Sequence, residues 1–520
     1  MATPAPAPVA FFGFDAVESS LFDRYIADGT LPTMRRLVEE GQSTLLSPPP
    51  SGFYNTSWIA TVTGSDVDEH RSVLDRQLDP GSYRIVDVRA ASIQRPPFWQ
   101  YLSDAGVDST VASIYSAPVL PSFRGTQVQG WGAIDPYTAK FGDRIFVPPE
   151  TERLLAEAVP SRQNFYRTAV PHTPAEYRSL LERLLRSVEE QTSGLAELIE
   201  RTRWDFFFGS YGEPHFGGHL FWHLSDPTHP SYDSRVADEV GETMIAIYRA
   251  VDRGIGELIE RLPPETRYFV VTPHGMRPSY IYDPGEKVLE ETGWLTLRAG
   301  GSGGGPGGRI LRGAWGVGRR VVPTKLRLAV RSRLPADGLV AEMPLSHIDW
   351  SGTRVFALPS DMTSYLRVNL AGREPEGIVQ PGEEYERVCD EVQRLFESVR
   401  HAGTGAPAVE RVVRCDKEFG RPVEGACPDL CVVWADDVEV RSLDVPGLGN
   451  IDLRFDDPRT GQHTHKGFLV GAGPGIAASG SHCLGDGDGT VLDVGPTVLA
   501  LLGVDHSMLR GRPLKAFVSG

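Results

Sequence analysis

The chain has 520 residues, 40% of them hydrophobic and 23% charged, and a formal net charge of -16, so it can bury a large core and carry one big domain with insertions or two domains. The acidic balance excludes a broad electrostatic attraction to DNA, RNA or an anionic membrane surface; the expected partner is a small molecule, and an anionic one would need local cations. No stretch approaches the roughly 20 apolar residues of a membrane span, "MATPAPAPVAFFGFD" has no basic segment ahead of an apolar one, and Cys389, Cys415, Cys427, Cys431 and Cys483 form no zinc-type CxxC pairs. The expectation is a cytoplasmic protein with reduced, mostly buried thiols.

In chain order, "VAFFGFD" (9–15), "STVASIY" (109–115), "DFFFGSY" (205–211), "RYFVVTPHG" (267–275), "PDLCVVW" (428–434) and "KGFLVGAGPG" (466–475) are short, nearly continuous apolar runs. Such runs suit strands covered on both faces. Helical periodicity fills 173–202 and 239–262, the first opened by Thr173 and Glu176 as a capping box. Strand alternating with helix predicts an α/β fold with a mostly parallel sheet flanked by helices. The glycine-rich "RAGGSGGGPGGR" (298–309) reads as a mobile surface loop. Residues 310–427 are less regular, although "GEEYERVCDEVQRLFESV" is helix-like. The expected organisation is a core over 1–280, an inserted cap over 281–427 and a return to the core over 428–520.

Ligands of such sheets gather beyond the carboxyl ends of strands. There the sequence places Asp15, His274 and "SYGEPHFGGHLFWH" (210–223), in which His215 and His219 stand four residues apart. On a helix, imidazoles at i and i+4 project the same way and can reach one metal ion. The spacing alone is common among ordinary histidines. His463 and His465, ahead of the last apolar run, strengthen the metal reading. Imidazoles and one carboxylate suit zinc, iron, manganese or copper better than magnesium or calcium.

The order of segments resembles the alkaline phosphatase superfamily, and within it the bacterial type I phosphodiesterase/nucleotide pyrophosphatase-like branch, almost end to end. "GFDAVESSLFDRYIADGTLPTMRRLVEEG" is similar to the family's first ligand strand and helix, with Asp15 at the ligand. "SWIATVTGSDVDEHR" is similar to the segment after its nucleophile, with Thr63, Gly64 and His70 at the usual Thr-Gly pair and downstream His; "HLFWHLSDPTHPSYD", "IDWSGTRVFAL", "NLAGREPEGIV" and "DVGPTVLALLGV" resemble further recurring stretches. The resemblance implies two metal ions about 4 Å apart, one beside a Ser or Thr nucleophile.

Three positions depart from that pattern. The nucleophile position, ten residues before Gly64, holds Tyr54, with Thr56 or Ser57 reachable only through a bulge. The family's Asp-x-x-x-His is His215-x-x-x-His219, and its Ser-Asp-His-Gly is "TPHG", with Pro273 where the second metal's Asp stands. Proline offers no ligand atom, so the second site, Asp15 and His274, is expected to be weak or lost. The first, carried over as His215, His219 and His463, forms a three-histidine zinc-type site that lowers the pKa of bound water towards ~7. Tyr54 is a poor phosphoryl acceptor; as a ligand or proton donor it would act beside the metal, and otherwise it is packing.

Bland roles are open to several residues. Asp15 is also a plausible cap of the following helix, Glu213 either a partner of a ligand histidine or solvated, His465 an exposed neighbour, and His70, His223 and His229 structural. The implied function is a divergent metal-dependent hydrolase of a phosphate ester, phosphodiester or related ester. The alternatives are a repurposed metalloenzyme performing transfer, elimination, cyclisation or oxidation, and a non-catalytic binding protein.

Overall fold

The computed structural model describes residues 6–88, 92–131, 144–156, 158–159, 165, 171–279, 283–298, 343–360, 363–435, 442–453 and 459–518. Nearly all of the glycine-rich 298–309 stretch lies outside them. The chain divides into two compact units, one of residues 1–70, 89–279 and 456–520, the other of 71–88 and 280–455.

The first unit is built on a nine-stranded sheet, counted among the described residues, in the order Gly489–Thr490, Gln42–Ser47, Gly467–Ala472, Arg267–Thr272, Val9–Phe14, Phe206–Tyr211, Ser109–Ala112, Gly125–Gln129 and Ile145–Val147. From Arg267–Thr272 to Gly125–Gln129 all neighbours are parallel. Val9–Phe14, at the centre, is buried at every position, as a strand covered on both faces must be. Phe12 and Phe14 belong to the apolar cluster on one face, with Leu184, Leu195 and Ile247. Phe11 belongs to the cluster on the other, with Trp58, Phe208 and Phe269.

The helix Pro174–Arg201 opens with the Thr173/Glu176 capping box and buries Leu180, Leu184, Val188, Leu195 and Leu198 along one stripe. The helix read over 239–262 spans Met244–Ile259.

The second unit contains a four-stranded antiparallel sheet, ordered Val355–Leu358, Thr363–Val368, Leu430–Trp434 and Val409–Arg414. The helix Glu383–Ser398 buries Val388, Cys389, Val392 and Phe396. Arg373 clamps the buried Asp429 with two hydrogen bonds, 2.8 and 2.7 Å. This corrects the expected return to the core at 428: Leu430–Trp434 pairs within the second unit, and the chain rejoins the large sheet at Gly467–Ala472. An apolar run reports burial on both faces but not which sheet supplies the neighbours. Residues 71–88 also belong to this unit, because Arg84–Asp87 pairs with Met343–Pro344.

Candidate metal centre

Three parallel neighbours carry the site. Phe14 is level with Tyr211, and Gly13 with Val271, so Asp15, the segment after Tyr211 and the segment after Thr272 leave the sheet at one edge. The amide of Asp15 is tied to the Tyr211 carbonyl at 3.1 Å. Ala16, next in the chain, has φ 58°, a left-handed conformation that costs a residue with a Cβ of order 1–3 kcal/mol and collects at functional sites.

The helix Glu213–Ser225 starts just beyond its strand, with Pro214 in its first turn. Its two adjacent glycines permit close approach. A Cβ on Gly217 would lie 2.5 Å from Ile247 Cδ1, and one on Gly218 2.8 Å from the Met276 side chain. Met276–Pro278 pairs antiparallel with Gly461–His463, setting His463 opposite Met276 and beside the helix that bears His215 and His219.

The structure therefore brings His215, His219 and His463 together, one ligand atom from each within 4.8 Å of the others; Asp15, His215 and His274 form a second such group. The Nε2 atoms of His215 and His219 are 3.2 Å apart, and the His463 ring centroid is 4.6 and 4.8 Å from theirs. Nitrogens bound to one tetrahedral cation at about 2.0–2.1 Å stand roughly 3.3 Å from each other. The His219 Nδ1–H donates to the Gly461 carbonyl at 2.8 Å, which leaves Nε2 with a free lone pair facing His215. His215 Nδ1 faces the Asp15 carboxylate at 2.9 Å, fixing the same tautomer there, and the Tyr115 ring stacks against it at 5.6 Å. Such carboxylate and carbonyl partners are what orient metal-binding imidazoles.

The electrostatics agree. Burial, then the neighbouring His215 and Arg459, hold His219 well below the ordinary imidazole pKa. Burial and the surrounding histidines do the same for His463, and burial lowers His274 against the opposing pull of Asp15. A neutral imidazole is the metal-binding form. Burial works to raise Asp15, but the charges of His215 and His274 and hydrogen bonds from His215 and Trp58 hold its carboxyl below the usual range. The three-histidine set thus fits a borderline-soft cation: imidazole nitrogens at ligand spacing, His215 and His219 buried and His463 partly so, with His219 and His463 held towards the neutral form.

Tyr54 is buried in the single turn Tyr54–Thr56, its ring 3.6 Å from that of His465. His465 is accordingly buried rather than exposed. The Thr56 and Ser57 hydroxyls donate at 2.7 Å to the carbonyls of Phe53 and Tyr54. Glu213 neither partners a ligand histidine nor is solvated: it accepts from Ser187 Oγ at 2.6 Å, and burial pushes its pKa up to about 7. His223 bonds Tyr177 and Thr460, and His229 bonds the Thr460 carbonyl, both structural roles.

Sequence reasoning missed Trp58, whose indole N–H donates to Asp15 Oδ1 at 2.7 Å. It also missed the Gly461 carbonyl and Arg459. A tryptophan in an apolar helix reads as core, and a backbone carbonyl leaves no sequence mark at all.

Comparison with known proteins follows the same lines. No curated protein sequence matches the chain. Phosphonoacetate hydrolase from Sinorhizobium meliloti 1021 shares the fold in two crystal structures. The complex with phosphonoformate has 13% identity, 96% of each chain covered and a TM-score of 0.50. The complex with phosphonoacetate has 14% identity, the same coverage and the same TM-score. Murine ectonucleotide pyrophosphatase/phosphodiesterase 5, an inactive variant in complex with AMP, is similar at 12% identity over 98% of each chain, with a TM-score of 0.47. The profile of the family described as type I phosphodiesterase / nucleotide pyrophosphatase matches residues 9–404, well over half of the sequence. The chain belongs to the type I phosphodiesterase / nucleotide pyrophosphatase family of the alkaline phosphatase superfamily.

Proposed function

We propose that this protein is a metal-dependent hydrolase of a small anionic phosphate ester, phosphodiester or related ester, with one cation, zinc first, held by His215, His219 and His463. The observation that carries the reading is the convergence of those three ligand atoms within 4.8 Å, His215 and His219 buried and His463 partly so. Such a cation, when bound, supplies positive charge that polarises a phosphoryl oxygen and acidifies water to near neutrality.

The chain's own residues do the rest. Asp15 and the Gly461 carbonyl keep the imidazoles turned inward. The charge of Arg459 reaches His219 and His463 and adds local positive charge beside the imidazoles. Thr56 and Ser57 are committed to backbone carbonyls and Tyr54 packs on His465, so water is the favoured nucleophile. No disulfide joins the five cysteines among the described residues, and four of them are buried, which fits a reducing compartment such as the cytoplasm.

The test is elemental analysis of protein purified under metal-replete conditions, followed by assays with generic aryl phosphates and phosphodiesters. About one zinc per chain is expected, and His219→Ala should lose the metal and reduce hydrolysis to background. Iron or copper in place of zinc would move the reaction to oxidation. A metal-free protein, or a His219→Ala variant as active as the parent, would sink the reading.

A further inference from the structure

The second group of potential ligands, Asp15, His215 and His274, does not fit a cation as the first does. Both carboxylate oxygens of Asp15 are already engaged: Oδ1 accepts from the Trp58 indole N–H at 2.7 Å, and Oδ2 faces His215 Nδ1 at 2.9 Å. His274 Nε2 stands 3.5 Å from the same Oδ1, and Pro273 beside it has no side-chain donor atom. His215 cannot serve two cations, since its other nitrogen already faces His219. That leaves His274 and one carboxylate oxygen whose lone pair is aimed at an N–H.

We propose that the Trp58 indole N–H takes the place of the fold's second cation, and that Asp15 acts as the carboxylate that orients His215 instead of as a metal ligand. This rests on the three-histidine centre proposed above. The N–H brings partial positive charge to the oxygen a cation would otherwise neutralise, at hydrogen-bond distance and without a coordination shell to complete.

The indole is built into the site. Trp58 is 2% exposed, within the helix Ser57–Thr63. It packs over Gly13, two residues before Asp15 in the chain. A Cβ on Gly13 would lie 2.9 Å from indole Cη2 and 2.6 Å from Ser210 Cβ. Gly13 thus makes the room, Trp58 fills it, and Asp15 receives the hydrogen bond. Trp58 is a positioning residue: it acts through Asp15 on His215, whose Nε2 is thereby presented to the three-histidine centre.

The test counts cations. Metal-stripped protein is titrated with zinc, with bound equivalents measured by elemental analysis after desalting. The Trp58 indole N–H is followed by NMR in tryptophan-labelled protein and assigned by its loss in Trp58→Phe, which keeps an aromatic ring and removes the donor. Wild type should bind one equivalent with the indole resonance retained, His219→Ala none, and Trp58→Phe/Pro273→Asp two.

Two equivalents on wild type, with the Trp58 resonance displaced by the second, would overturn the inference while leaving the three-histidine centre intact. One tight equivalent kept by His219→Ala would also overturn it, by placing the cation on Asp15 and His274. No zinc on wild type but one on Trp58→Phe/Pro273→Asp would fell the three-histidine reading and support the role of Trp58. If the double variant does not fold, the wild-type and His219→Ala titrations still decide.

Discussion

His70 is fully buried, and burial lowers its pKa from 6.5 to about 3. The unfolded chain binds a proton at this side chain below pH 6.5 while the folded chain refuses it until about pH 3. The stability lent by the neutral ring is therefore complete above pH 6.5 and is lost as pH falls through that window. With about 1.4 kcal/mol for each pH unit, His70 should account for roughly 3 kcal/mol of destabilisation between pH 7 and pH 4. Urea unfolding of wild type and His70→Asn at both pH values isolates this from the carboxylates, because only the difference between the two proteins reports His70. Their gap should narrow by that amount at pH 4, and a gap independent of pH would show that His70 is not a buried neutral group. At this scale, what could be read from sequence was what local spacing encodes. His215 and His219 share a helix face by periodicity, whereas Trp58 reaches Asp15 across 43 residues of chain and no local pattern announces it.

Elements explain why the histidines meet at all, and the tightest contact is between backbones. Gly461, in the strand that carries His463, lies so close to the helix Glu213–Ser225 that a Cβ on it would stand 2.2 Å from the Gly218 carbonyl oxygen. Neither partner is a side chain that can swing away. In Gly461→Ala the strand must withdraw from the helix, and the 2.8 Å bond from His219 Nδ1 to the Gly461 carbonyl lengthens or breaks. Overpacking of this kind costs about 1–3 kcal/mol, and loss of an orienting partner typically costs 10- to 100-fold in metal affinity. Zinc titration against a competing chelator should show that weakening, with urea unfolding reporting the stability loss. Undiminished affinity would mean that the carbonyl does not set the ring. The strands with continuous apolar sequence were readable because burial on both faces demands it. Gln42–Ser47, in the same sheet, buries only alternate late positions and carries no such run, so composition alone hides it.

The whole molecule places the site's contributors on either side of the second unit's longer segment in sequence: His215 and His219 precede residue 280, and His463 follows residue 455. The excursion itself was visible in sequence as irregular patterning. Its limits were not, because strand pairing over long sequence separations decides them. A cation bound by those three imidazoles exists only when the first unit is folded, so it stabilises that unit by mass action, by about 4 kcal/mol at a thousandfold excess over Kd. Calorimetry should show the first unit's transition rising by several degrees on adding zinc and falling again with chelator, while any transition belonging to the second unit stays in place. His219→Ala should abolish the response. A zinc-dependent shift that survives in His219→Ala would place the stabilising cation elsewhere, and sheet edge, helix and returning strand would not then form one centre.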